Sequence, residues 1–147
     1  MLRKIFTTRN DFFLTVLRVA LGLVVLPHGA QKVLGLFGGF GFTGTMHFFT
    51  ESMGIPYILG LMAVLTESLG SIGLITGFLT RISAFGIGTT MVVAALMVHV
   101  QNGFFMNWFG TQAGEGFEYH ILAVGMALSL MIAGGGRWSV DAMLMKR

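Results

Sequence analysis

The 147 residues include no cysteine, only two prolines and few charges. Without cysteine, disulfides, thiolate metal sites, cysteine-ligated iron–sulfur clusters and thiol nucleophiles are all excluded. Any redox chemistry must therefore use something bound. Charged side chains make up 10% of the chain, whereas soluble domains carry about 25%. Hydrophobic residues reach 54% and the mean hydropathy is +0.82. This is the composition of an integral membrane protein. The net charge of +3 sits beside the apolar runs, so it bears on membrane topology and not on nucleic acid. The 22 glycines point to closely approaching helices. The 11 methionines are scattered, as in a soft interior, and not clustered like a copper-binding box.

The most informative stretch is residues 18–41, an apolar helix that carries three ionisable side chains. At about 100° per residue, Arg18, Gly22, Val25, His28, Gly29 and Lys32 occupy one stripe of roughly a third of the circumference. An Arg or Lys at the bilayer centre costs about 2.5–3.5 kcal/mol on insertion scales. Two of them on one face require partners from other helices.

Four membrane helices are expected, at about 12–35, 57–78, 82–100 and 117–134, each near the ~20 residues that cross a hydrocarbon core. The fold class is thus all-α, a single-domain membrane four-helix bundle over residues 1–147. Arg3, Lys4, Arg9, Arg81, Arg137, Lys146 and Arg147 fall on one side, while loops 36–56 and 101–116 hold no Lys or Arg. The positive-inside rule then places both termini in the cytoplasm. Arg3, Lys4 and Arg9 could head a signal peptide, but the apolar run is too long, its cleavage pattern is weak and three more spans follow. Pro27 frees the Leu23 carbonyl and is expected to bend the first helix below His28.

Gly39-Phe-Gly-Phe-Thr-Gly44 formally matches GxGxxG, but no strand precedes it, so it reads as a turn. A short surface helix from Thr43 or Thr45 would bury Met46, Phe49 and Met53 and expose a solvated pair, His47 and Glu51. In the second span Glu67 shares a face with Gly60, Ala63, Gly70 and Ser71, with Gly73-xxx-Gly77 as a close-packing notch. Gly88, Val92, Ala95 and His99 line up on the third span. The uncharged aromatic loop from Gln101 to Gly110 suits the interface and can cover the outer mouth. In the fourth span Glu118, Leu122, Gly125 and Ser129 share a face, with His120 about 200° away, which separates Glu118 from His120. As an acid at a helix N-terminus, Glu118 also complements the macrodipole. Trp138 should anchor the inner interface, and Ser139 and Asp141 should cap a terminal helix at 140–146.

Taken in order, Arg18-Val-Ala-Leu-Gly22, His28-Gly-Ala-Gln-Lys32, Glu67, Gly73-Leu-Ile-Thr-Gly77-Phe-Leu-Thr-Arg81, Glu118 and Gly134-Gly-Gly-Arg-Trp-Ser139-Val-Asp141 resemble the DoxX family. The resemblance covers nearly the whole chain. It implies a bacterial multi-pass inner-membrane protein linked with quinone-dependent oxidoreductases, oxidative-stress complexes or maturation of periplasmic redox enzymes. The implied partner is an oxidoreductase subunit; a second copy of the chain is the alternative. His99 and His120 lie outside the pattern.

Seven ionisable groups fall within or at the ends of the spans: Arg18, His28, Lys32, Glu67, His99, Glu118 and His120. One expectation is two internal ion pairs, Arg18 with Glu67 and Lys32 with Glu118, that hold helices in register. The other is a pocket near the outer leaflet for a quinone. There His28 and Lys32 would donate to carbonyl oxygens, with His99 at the boundary, and Glu118 or Glu67 would relay protons. Haem b is not expected, because the rise per residue puts His28 about two turns deeper than His99 or His120. A small-molecule or proton transporter and a non-catalytic anchor or assembly partner are the competing functions. No protein metal site is expected.

Overall fold

The computed structural model describes residues 5–145, so the topology residues Arg3, Lys4, Lys146 and Arg147 lie outside the described part. All regular elements there are helical. Helix α1 (Phe12–Leu34) is capped by Asp11, whose side chain accepts from the Phe13 amide, and stops at Gly35 with φ +71°. It runs through Pro27 as one helix. A turn over Leu36–Gly38 leads to α2, which is α-helical over Gly41–His47 and continues as a π turn over Phe48–Ser52. The glycine motif therefore forms a turn and a helix start, with no strand beside it. Met46 is buried and His47 and Glu51 are exposed, as the α2 pattern predicts.

Helix α3 (Tyr57–Thr76) and α4 (Thr80–Asn102) follow, each broken by one π turn, Thr66–Gly70 and Ala95–His99. With α1 they are, among the described residues, the three helices long and apolar enough to cross a membrane. The fourth apolar helix, α5 (Glu118–Ala133), has only 16 residues, about 24 Å at 1.5 Å per residue. It is shorter than a full crossing because residues 103–117 fold back before it starts. A short α6 (Val140–Met145) ends the described chain.

Close backbone approach sets the register of α1 on α3. A Cβ at Gly22 would stand 2.9 Å from the Ser71 carbonyl oxygen, and one at Gly29 would stand 2.7 Å from the Glu67 carbonyl oxygen. The glycine stripe read from sequence is thus the seam itself: Arg18, Leu21, Gly22, Val25 and Gly29 are the buried residues of α1. A dry core of Leu21, Val25, Leu74, Ala84, Ile87, Met91, Ala123, Ala127 and Leu130 fills the middle of the bundle. Polar groups lie at both ends of it. The loop end carries the end of α1, the start of α3, the end of α4 and the start of α5. The terminal end carries Arg9, Arg18, Arg81 and Arg137.

The contact between α4 and α5 decides which faces of the two helices are buried. Helix α4 buries Ala84, Ile87, Gly88 and Met91, whereas Val92 is exposed. Helix α5 buries His120, Ala123, Ala127 and Leu130, while Leu122 is 69% exposed and Gly125 has open space beside it. The physical cause is the α4–α5 seam, where a Cβ at Gly88 would lie 3.1 Å from Ala127 Cβ. Small residues pack there, and the Gly125 face turns outward.

The seam makes a paired prediction. Gly29→Ala should lose about 1–3 kcal/mol, because backbone atoms of α3 cannot move aside. Gly125→Ala should gain about 0.5–1 kcal/mol, the helix-propensity difference alone. Thermal unfolding in detergent, followed by circular dichroism, separates them; shifts of the same sign would contradict the register.

Candidate functional site

The stripe of α1 serves two separate polar sites. At the terminal end, Arg18 is only 3% exposed and donates to four backbone carbonyls. Its Nη1 reaches Leu74 O at 2.9 Å and Ile75 O at 2.5 Å, Nε reaches Gly135 O at 2.8 Å, and Nη2 reaches Trp138 O at 3.2 Å. The last carbonyls of α3 form the negative end of its dipole and have lone pairs to spare, Leu74 O taking only the Gly77 amide at 3.2 Å besides Arg18. A planar group with five donors suits them. Asp141 supplies the nearby negative charge and caps α4, accepting from the Leu79 and Thr80 amides at 2.8 and 2.9 Å. Ser139 caps α6 by accepting from Ala142 N at 3.1 Å. Gly77, at φ +73°, has room for no Cβ: the atom would lie 2.4 Å from Ser139 Cβ and 3.1 Å from Arg18 Cζ. Arg18, Gly77, Ser139 and Asp141 thus make one structural lock.

At the loop end, Lys32 Nζ donates to Glu67 Oε2 at 2.5 Å, with the side chains 23% and 6% exposed. Glu67 sits on the π turn of α3. His28, one turn before Lys32 and exposed at the helix surface, lies within Coulombic range of both charges. Its ring is 6.5 Å from that of Tyr119, itself within range of Glu67. Tyr119 and His120 are 5.3 Å apart between ring centroids, and His120 and His99 are 4.2 Å apart. His99 sits on the π turn of α4, and its Nδ1 lies 2.8 Å from Glu115 O. Six side chains from four helices therefore run from a mid-bundle ion pair to the loop. Among them Tyr119 Oη and His120 Nδ1 are buried without a hydrogen-bond partner.

Both expected ion pairs are replaced. In the register set by Gly29, the counterpart of Glu67 on α1 is near residue 29, so Lys32 is one turn away and Arg18 is eleven residues, or about 16 Å, distant. Glu67 therefore takes Lys32, and Arg18 takes carbonyls. Glu118 does not reach Lys32; its Oε1 accepts the Met106 amide at 2.9 Å. Asp141 caps α4 instead of the helix that contains it. The depth estimate for the histidines also fails. Because α5 starts below the folded-back loop, Tyr119 and His120 lie level with His28, and the argument from depth against a haem lapses. The two histidine rings that meet, at 4.2 Å, leave no gap for a macrocycle between them.

Residues 103–117 cover this end. The Phe117 and Glu118 amides pair with Gly103 O and Phe104 O at 3.3 and 2.9 Å. Glu115 Oε2 accepts Asn107 N at 2.6 Å. Sequence reasoning missed Tyr119, Glu115 and the two π turns. An aromatic beside a histidine has no periodic signature, and a single extra residue in a helical turn leaves hydropathy unchanged. No group of three or more His, Asp or Glu among the described residues is placed to hold a metal ion. A concavity of about 660 Å³ opens at the terminal end beside Thr8, Asn10, Arg137 and Trp138, and an apolar one of about 170 Å³ lies between α4 and α5. Neither includes a residue of the loop-end cluster. Chemically, that cluster can donate hydrogen bonds from Lys32, accept or release a proton at histidine, and hold a neutral polar group against Tyr119 and His120.

Comparison with known proteins agrees with the architecture. Residues 13–100, more than half of the chain and spanning α1 to α4, match the DoxX family model. The inner membrane protein YqjF of Escherichia coli (strain K12) is 28% identical over 144 residues, which cover 94% of this chain and 96% of that protein. No solved structure matches the chain significantly. The helices, the match along them and the inner-membrane relative lead to one assignment: the chain belongs to the DoxX family and is a multi-pass inner-membrane protein.

Proposed function

We propose that this protein is the membrane subunit of a quinone-linked oxidoreductase or redox complex, and that the cluster of Lys32, Glu67, His28, Tyr119 and His120 receives the quinone headgroup. The observation that carries the reading is the pair of buried, unpartnered polar atoms, Tyr119 Oη and His120 Nδ1, beside an intramembrane ion pair. Leaving a buried polar atom unpaired costs about 1–3 kcal/mol. Sites that bind something tolerate that cost, because the ligand removes it. Lys32 uses one of its three N–H donors on Glu67. The remaining donors, with the Tyr119 hydroxyl and a ring N–H of His120, match carbonyl oxygens that gain negative charge on reduction. Two electrons come from a partner's redox group, since this chain has no thiol couple, and two protons come through the cluster to give the quinol.

Binding tests this directly. A short-tailed naphthoquinone titrated into the protein in lipid nanodiscs should bind saturably. The double variant Tyr119→Phe/His120→Phe should weaken it about tenfold or more, one lost hydrogen bond being about 1.4 kcal/mol. Absence of saturable binding to the unaltered protein would overturn the reading.

The ion pair separates this function from that of a passive anchor. Lys32→Met alone strands the Glu67 carboxylate and should cost about 3–5 kcal/mol, whereas Lys32→Met with Glu67→Met should return stability to near the original. Chemical denaturation measures both. If the stable double variant also keeps full quinone affinity, the pair is structural only.

A further inference from the structure

The two unpartnered atoms at the loop end bear on where protons enter. We infer that His99, His120 and Tyr119 form a proton path from the aqueous phase at the loop end to the Lys32–Glu67 pair. The inference deepens the quinone reading, whose reaction consumes protons, but its geometry is independent of any ligand.

The path begins at His99. Its Nδ1 faces the Glu115 carbonyl oxygen, which only accepts, so Nδ1 carries the hydrogen and Nε2 carries the lone pair. A proton arriving from solvent is taken at Nε2 and leaves from that same atom toward the unbonded His120 Nδ1, because His99 Nδ1 keeps its hydrogen on the carbonyl. The Glu115 side chain is exposed, and Asn102 Nδ2 shares the same carbonyl at 3.1 Å, so the entry is a polar collar at the surface. Next is His120, 6% exposed, with its ring 4.2 Å from His99 and Nδ1 unbonded. Tyr119 Oη is the second unbonded atom, its ring 5.3 Å from His120 and 6.5 Å from His28. Bare nitrogen and hydroxyl in adjacent side chains are what a bridging water requires, since a buried water makes about three hydrogen bonds to such groups. His28 and Lys32 on α1 and Glu67 on α3 are the charged or titratable groups at the far end; Glu115 and Glu118 flank the entry but have carboxylate oxygens bonded to loop amides.

The other direction is closed. Below the cluster, Leu21, Val25, Leu74, Ile87 and Leu130 form the apolar core, and beneath them the fixed cation of Arg18 is held by four carbonyls. Protons therefore exchange with one side of the membrane only.

Four histidines make the test tractable. Solid-state NMR on the full chain in bilayers, with ¹⁵N-labelled histidine and without quinone, reads the transfer of water magnetisation to each ring. Exposed His47 is the reference. The His120 ring should exchange with water, and His99→Phe, which keeps a ring in place, should slow that exchange about tenfold, a barrier rise of about 1.4 kcal/mol, while His47 is unchanged. His99→Gln, which retains a polar side chain, should slow it less. An unexchanged His120 in the unaltered protein, or equal exchange in His99→Phe, overturns the path. Because no quinone is present, either result leaves the binding experiment to decide the quinone reading by itself.

Discussion

The antiparallel register of α1 against α3 governs everything polar in this molecule. It is fixed by backbone contact at Gly22 and Gly29, where a single methyl group on either residue would meet main-chain atoms of the facing helix. One residue of slip moves each helix by about 1.5 Å and turns its side chains by about 100°. Either change would leave Lys32 without Glu67 in an apolar surround, and Arg18 without the end of α3. The glycines carry no chemistry themselves. They determine which charge meets which partner.

The two cations of the stripe lie fourteen residues, about 21 Å, apart along α1, and their different chemistry suits their different neighbours. Four of arginine's five fixed donors are used on backbone carbonyls, with Asp141 nearby for charge. Buried and bonded to three segments, Arg18 joins α1, α3 and the α5–α6 link. Lysine is a compact point charge with three donors. Glu67 takes one of them. The same stripe of sequence therefore yields a closed lock at one end and an open donor set at the other.

Much of this architecture was legible in the sequence. The apolar runs, the glycine-notched face of α1 and the inward direction of Arg18, Lys32 and Glu67 all followed from periodicity and the cost of exposing charge to lipid. Pairing was not legible, because it depends on the offset between two helices. The Gly29 contact with Glu67 and Ser68 sets that offset, and sequence position alone does not. Nor does the sequence say which face of α5 packs: Glu118, Leu122, Gly125 and Ser129 share one face, yet Ala127 on another makes the seam against Gly88. Tyr119 and the π turns bearing Glu67 and His99 emerge only from tertiary placement.

Charge balance at the loop-end cluster narrows what it can hold. Lys32 and Glu67 cancel, and Glu115 and Glu118 are held apart from them, each with one carboxylate oxygen on an amide of the covering loop. A loop at the level of a shortened helix needs such acceptors, since main-chain N–H groups near hydrocarbon must be satisfied within the protein. The acids are thereby held at the rim, and the histidines and Tyr119 remain inside. An ionic ligand would bring an uncompensated charge into this neutral group and incur its desolvation cost. A neutral molecule with hydrogen-bonding oxygens would bond Tyr119 Oη and His120 Nδ1 at no such cost, and its apolar remainder would match the lipid-facing surface around His28. For that reason the proposed quinone fits the cluster better than an ion does, and the proposed proton path would supply from one face of the membrane the charge that its reduction requires.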